Sequence, residues 1–210
     1  MAEIYILSDK KFEGALNIPV IKINFLNVDV ELEKYDALIF TSKNGVEAID
    51  RIDKSWKEKE VYSIGSGTTN YLLSKGKTPI YTAKSSYGDD FADEIKDKLK
   101  DKKVLFLRAK KVTSNLNTIL LSSKVDLDEK IVYETICNQD KLQPPKKGSV
   151  IIFSSPSTIE CFLKIFKWDE SYKAVTIGVK TASFIPKDIK YTLSKHQTIP
   201  SCIELARTLL

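Results

Sequence analysis

Ser42 and Lys43 stand where an apolar run stops and a helical pattern starts, in IFTSKNGVEAI at 39–49. Ser155, Pro156 and Ser157 stand at the same kind of break in IIFSSPSTIECF at 151–162. A serine before a helix accepts a hydrogen bond from a first-turn N–H, and proline suits the first helical position because its missing N–H costs nothing there. The other first-turn N–H groups, with the partial positive charge of the helix start, can hold an anion. Two glycine turns repeat this chemistry: IGSGTT at 64–69 offers Gly65, Ser66 and Thr68, and IGVKTA at 177–182 offers Gly178, Lys180 and Thr181. Glycine allows close backbone approach to a ligand, and the hydroxyls add donors. Any one of these is also what a simply capped helix looks like. Four in related positions favour a ligand with several carboxylates, gripped by amides and hydroxyls.

Other chemistries lack their residues. His196 is the only histidine, which removes histidine triads and the usual multi-histidine metal sites. Gly65-Ser66-Gly67 is not a dinucleotide fingerprint, because Asn70 stands where a third glycine is needed, and there is no Walker lysine pattern. Neither cofactor nor metal is expected. Cys137, Cys161 and Cys202 are widely spaced, odd in number and without a CxxC, so they read as buried thiols, not as a disulfide or zinc framework. The net charge of +5 is mild. Its tightest basic cluster, KDKKVLFLRAKK at 100–111, flanks a strand-like run, so nucleic acid is not expected as a partner. No apolar run approaches the ~20 residues that span a bilayer, and MAEIYILSDKK enters a strand pattern directly. A soluble, cytoplasmic chain is the expectation.

The elements that must position these residues are duplicated. At a fixed offset of 113, Ile39, Phe40, Ser42 and Glu47 fall on Ile152, Phe153, Ser155 and Glu160, and Ile64, Gly65 and Thr68 fall on Ile177, Gly178 and Thr181. The first copy continues through KVLFLRAKK at 103–111 and KIVYETI at 130–136, whereas the second runs out of chain. Its missing pieces are supplied by IYILSDKK at 4–11 and IPVIKINF at 18–25. The reading is therefore an α/β fold of two similar lobes with parallel sheets flanked by helices and a two-stranded linker. The first lobe is discontinuous, at 1–25 and 138–210, and the second covers 26–137. Short unbroken apolar strands such as ALIF and VIIF argue for sheets covered on both faces. Helices are expected near 44–53, 67–76, 88–101, 113–123, 156–167, 179–186 and 201–210. Residues 9–17 are too few for the usual parallel crossover, so the first helix is expected to be vestigial. The helix starts of the two lobes would face a shared cleft.

In this order IFTSKNGVEAI, SIGSGTT, GDDFADEI, LFLRA, VYETI, IIFSSPST, TIGVKTA and the closing helix after Pro200 resemble the uroporphyrinogen-III synthase family over nearly the whole chain. The resemblance implies a cofactor-free dehydration and cyclisation of hydroxymethylbilane, a linear tetrapyrrole polycarboxylate, with inversion of the terminal pyrrole. It also points to hydroxymethylbilane synthase as the partner that hands over substrate, and, since no long apolar surface helix asks for a partner, a monomer is expected. It assigns Tyr133 in VYET to proton donation toward the departing hydroxyl. Carboxylate contacts carry over to Ser42, Lys43, Gly65, Ser66, Thr68, Ser155, Ser157, Gly178, Lys180 and Thr181, and Arg108 is similar to a recurrent arginine suited to bidentate pairing. Many bacterial relatives carry an arginine after the first strand, where this chain has Asp9 followed by Lys10 and Lys11. The competing reading is a non-catalytic bilobal receptor for a small polyanion. A receiver-like protein is a third, but the strand ends ALIFTS, VYSIG and VIIFSS carry no phosphoacceptor aspartate.

Overall fold

The computed structural model describes residues 2–85 and 87–210. In chain order the strands and helices are β1 (Ile4–Ile6), β2 (Leu16–Asn17), β3 (Ile21–Phe25), β4 (Ala37–Phe40), α1 (Lys43–Ile52), β5 (Glu60–Ser63), α2 (Gly65–Ser74), β6 (Tyr81–Thr82), α3 (Gly88–Ile95), β7 (Lys103–Ala109), α4 (Leu116–Ser122), β8 (Asp126–Cys137), β9 (Val150–Phe153), α5 (Pro156–Ile165), β10 (Lys173–Thr176), α6 (Val179–Ala182), β11 (Tyr191–Leu193) and α7 (Ile199–Arg207). The chain forms two compact units. One takes the chain up to Lys22 together with Ile136–Leu210, and the other is continuous, Ile23–Thr135. Both boundaries fall inside strands, β3 and β8, so the chain passes from unit to unit twice in extended conformation.

Each unit is built on one sheet, ordered β11-β10-β9-β1-β2 in the discontinuous unit and β3-β8-β7-β4-β5-β6 in the continuous one. Pairing is parallel throughout the first and from β8 to β6 in the second. ALIF and VIIF are buried at every residue because alternate side chains enter separate cores on the two faces of the sheet. Ala37 and Ile39 pack with Phe91 and Ile95 of α3 and Leu116 of α4, while Leu38 and Phe40 pack with Val46 and Ile49 of α1, Trp56 and Leu72 of α2. In the other unit Ile151 and Phe153 pack with Ile159 and Phe162 of α5, and Val150 and Ile152 with Cys202, Ile203 and Ala206 of α7. Each fully buried Val, Leu, Ile or Phe among them contributes roughly 1.5–3 kcal/mol of transfer free energy.

The offset of 113 carries β4 onto β9, α1 onto α5 and β5 onto β10 residue for residue. It fails next at α6, expected over 179–186 but ended at Ala182; Pro186 lies shortly beyond, and a proline disfavours helix at the residue before it. Helix over 88–101 is shorter than expected too, α3 giving way to a 3-10 turn at Lys96–Leu99. The stretch between β1 and β2 forms no helix: Asn17 Nδ2 donates to the Ser8 carbonyl at 3.0 Å, and Phe12 and Ala15 form a bridge that packs where a helix would lie. The strand expected at 18–25 starts only at Ile21, as β3; Pro19, which has no N–H for a ladder, separates it from β2. The cysteine expectation is overturned as well. Cys137, at the end of β8, and Cys161, in α5, form a disulfide across 24 residues with Cα atoms 5.1 Å apart, and only Cys202 is a free, buried thiol. Their spacing gives no hint of this, because folding rather than sequence proximity brings strand end and helix together. Among the described residues no helix is long and apolar enough to cross a membrane.

Candidate active site

Seven expected residues of the continuous unit, Ser42, Lys43, Gly65, Ser66, Thr68, Arg108 and Tyr133, gather at the carboxyl ends of its parallel strands. The chain leaves β4 through α1 toward β5 on one side and later returns as β7 on the other, so β4 and β7 flank the switch point where parallel sheets open to ligands. Ser42 is extended and its hydroxyl accepts the Asn44 N–H at 3.2 Å, which starts α1. One turn in, α1 lies so close to β7 that a Cβ on Gly45 would stand 2.8 Å from the Leu107 carbonyl oxygen. Only glycine fits that approach. Tyr133, level with Ala109 at the end of β7, is 7% exposed and packs with Phe40, Val46 and Leu107. Burial pushes the phenol above the usual tyrosine range.

At α2, Gly65 has a φ of +67°, open to glycine without strain, and no side chain caps the helix. Ser66 is exposed, but Thr68 is buried. Thr68 is the fourth residue of α2, so its N–H is already bonded within the helix, and the first-turn N–H groups left over are those of Gly65, Ser66 and Gly67. Beneath the turn Ser63, Thr69 and Thr82 join hydroxyls at 2.9–3.3 Å. Arg108 is already engaged. Its Nε forms an ion pair with Glu129 that lacks hydrogen-bond geometry, and its Nη1 donates to the Ala109 carbonyl at 3.0 Å. A substrate carboxylate at Arg108 would compete with Glu129.

The discontinuous unit gathers Ser155, Ser157, Gly178, Lys180 and Thr181 at the carboxyl ends of β9 and β10. Ser155 and Thr158 cap α5 reciprocally, and Pro156 contributes no N–H, so the cap leaves over the N–H of Ser157. Gly178 precedes α6, a single turn without a side-chain cap. Thr181 is buried, as its counterpart Thr68 is. Sequence reasoning missed Gly45, Glu129 and the Ser63 hydroxyl group. It also missed Thr176 at the end of β10, whose buried hydroxyl has no partner among the described residues. A glycine in the first turn of α1, where the repeat has Thr158, was the one available signal. Two cavities, of about 230 and 800 Å³, lie at the amino ends of β7 and β8 and of β10 and β11.

Parallel sheets related by an internal repeat, with helix starts presented at their strand ends, define a class: two-unit α/β proteins. Within that class the chain belongs to the uroporphyrinogen-III synthase HemD family, whose description matches residues 8–204. It is similar to the solved uroporphyrinogen-III synthetase of Helicobacter pylori 26695, at 27% identity and a TM-score of 0.87 over 100% of both chains. A mutant uroporphyrinogen III synthase of Thermus thermophilus shares the fold, at 11% identity and a TM-score of 0.60 over 100% of this chain and 98% of that one. No curated protein matches. The family makes the chain a lyase of porphyrin biosynthesis, and nothing favours the receptor reading.

Proposed function

We propose that the chain converts hydroxymethylbilane to uroporphyrinogen III, with Tyr133 as the proton donor to the departing hydroxyl. The observation that carries the assignment is the buried phenol at the strand-end level, beside the switch point where α1 approaches β7. Electron-rich pyrroles expel hydroxide readily, so the protein's main task is orientation, with one acid assisting. The C–O bond breaks as the phenol proton reaches the leaving oxygen, and water departs. The terminal pyrrole then turns over through a spiro intermediate, and the ring-closing carbon gives up a proton as the macrocycle forms.

Ser42, Lys43, Gly65, Ser66, Thr68 and Arg108 are the proposed carboxylate contacts of the continuous unit, and Ser155, Ser157, Gly178, Lys180 and Thr181 those of the other. Uncapped starts at α2 and α6 support contact through backbone N–H groups. Because the bilane closes to the uninverted isomer without an enzyme, direct receipt from hydroxymethylbilane synthase is part of the proposal. So is a cytoplasmic monomer, in which the Cys137–Cys161 disulfide must resist reduction; thiol counts with and without denaturant read that directly. The decisive experiment supplies freshly generated hydroxymethylbilane without metal or cofactor and separates the oxidised products. Predominantly isomer III is expected, and isomer I alone at the spontaneous rate would overturn the reading.

A further inference from the structure

Arg108 of β7 and Glu129 of β8 share one face of their sheet, because Glu129 pairs in register with Phe106, two residues before Arg108. That is the face α4 covers, and α4 supplies Asn117, whose Nδ2 donates to Glu129 Oε1 at 2.9 Å. Glu129 Oε2 is ion-paired with Arg108 Nε; both atoms are buried, and neither has a hydrogen bond. Arg108 Nη1 donates to the Ala109 carbonyl at 3.0 Å and to the Lys110 carbonyl at 3.4 Å. A carboxylate takes a guanidinium bidentately through Nε and Nη2 or through Nη1 and Nη2. Glu129 obstructs the first edge and the two carbonyls the second, so only Nη2 makes no hydrogen bond among the described residues. Of the two obstructions Glu129 is the easier to displace. Its contact with Nε lacks hydrogen-bond geometry, and its other oxygen is held by α4, so it does not follow when Arg108 turns away.

We infer that Glu129 is an internal stand-in for a substrate carboxylate at Arg108: it keeps the guanidinium edge until a carboxylate of a ligand anchored elsewhere takes its place. This deepens the proposed function and rests on Arg108 being a carboxylate contact. The exchange swaps one carboxylate for another, so a small free anion gains little by it and also meets the negative charge of Glu129. A polycarboxylate already held through its other groups competes at a high effective concentration and displaces Glu129. Glu129 thereby closes Arg108 to small anions and opens it to a multiply anchored ligand, which is selectivity obtained through a repulsive element.

The test uses Glu129→Gln, which removes the charge while its side-chain carbonyl can still accept from Asn117. KM and kcat for isomer III formation are measured for wild type, Glu129→Gln, Arg108→Met and the double variant, with thermal melts confirming folding and succinate as the small-anion probe. Removing a competitor for a charge-assisted hydrogen bond predicts a KM lower by about fivefold in Glu129→Gln, with kcat within about twofold. Inhibition by succinate should set in at concentrations about fivefold lower than in wild type. In the Arg108→Met background the same substitution should leave KM unchanged. An unchanged or raised KM in Glu129→Gln would overturn the inference, a raised one making Glu129 a support for Arg108. A fall that persists without Arg108 would overturn it too, since the effect would then be one of overall charge. Isomer I alone from the wild type would instead remove the synthase reading. Succinate then decides the stand-in role by itself: a larger rise in melting temperature for Glu129→Gln than for wild type upholds it, and an equal rise overturns it.

Discussion

Ser63 and Thr176 occupy the same place in the two halves of the repeat, yet only Ser63 has hydroxyl partners. Thr69 and Thr82 surround Ser63; Ala182 stands at the position equivalent to Thr69, and Leu193 is the cross-strand neighbour of Thr176. A buried hydroxyl without a partner carries a desolvation cost that an apolar side chain of the same shape avoids. Thr176→Val should therefore raise stability by about 1 kcal/mol, seen as a higher urea midpoint with an unchanged slope. A lower midpoint would mean that the hydroxyl has a partner in solution. Tyr133→Phe is argued at the same scale. It deletes one oxygen from a well-packed ring, so the melt should hold, while loss of a general acid should slow isomer III formation by roughly 10²–10⁴-fold. Wild-type turnover would take Tyr133 out of the mechanism.

The contact between α1 and α2 is held by charge. Lys75 reaches Glu47 and Asp50, each at 2.9 Å; Lys54 and the Trp56 indole N–H also bind Asp50, and Arg51 and the Tyr71 hydroxyl bind Glu47. The Tyr71 hydroxyl leads in holding the Glu47 carboxyl at about 2, against its burial. Burial alone would raise Asp50, but Lys54, Lys75 and Trp56 together hold it well below the usual carboxylate range. Both values are depressed on folding. The stabilisation is thus present above the unfolded range near ~4 and lost as pH falls through the folded values. Stability measured by urea titration should drop between about pH 4.5 and 2. Lys75→Met should lose about 1–3 kcal/mol at neutral pH and flatten that acid slope, because the carboxylates are then less depressed. An unchanged slope would show that Lys75 does not set them.

The continuous unit has both of its cores within its own chain, whereas the discontinuous one depends on β1 from the N-terminus, placed between β9 and β2. A fragment comprising residues 23–135 should therefore show native-like far-UV circular dichroism and one cooperative urea transition. A fragment of 136–210 should show neither until residues 1–22 are supplied, because Ile4, Tyr5 and Leu7 are missing from its two cores. Cooperative unfolding of 136–210 alone would mean that β1 is dispensable.

The sequence by itself determined the duplication, the serine and glycine helix starts and the parallel strands. These are local patterns, in which period, cap and turn chemistry lie within a few residues of one another. Unbroken runs such as ALIF marked strands covered on both faces, and the offset of 113 placed three elements residue for residue. Only the tertiary structure decided that Cys137 meets Cys161, that Glu129 takes Arg108 and that Gly45 admits the Leu107 carbonyl. Each of these joins residues remote in the chain. Such pairs are fixed by strand register and helix docking to within an ångström or two, and no linear spacing encodes that distance.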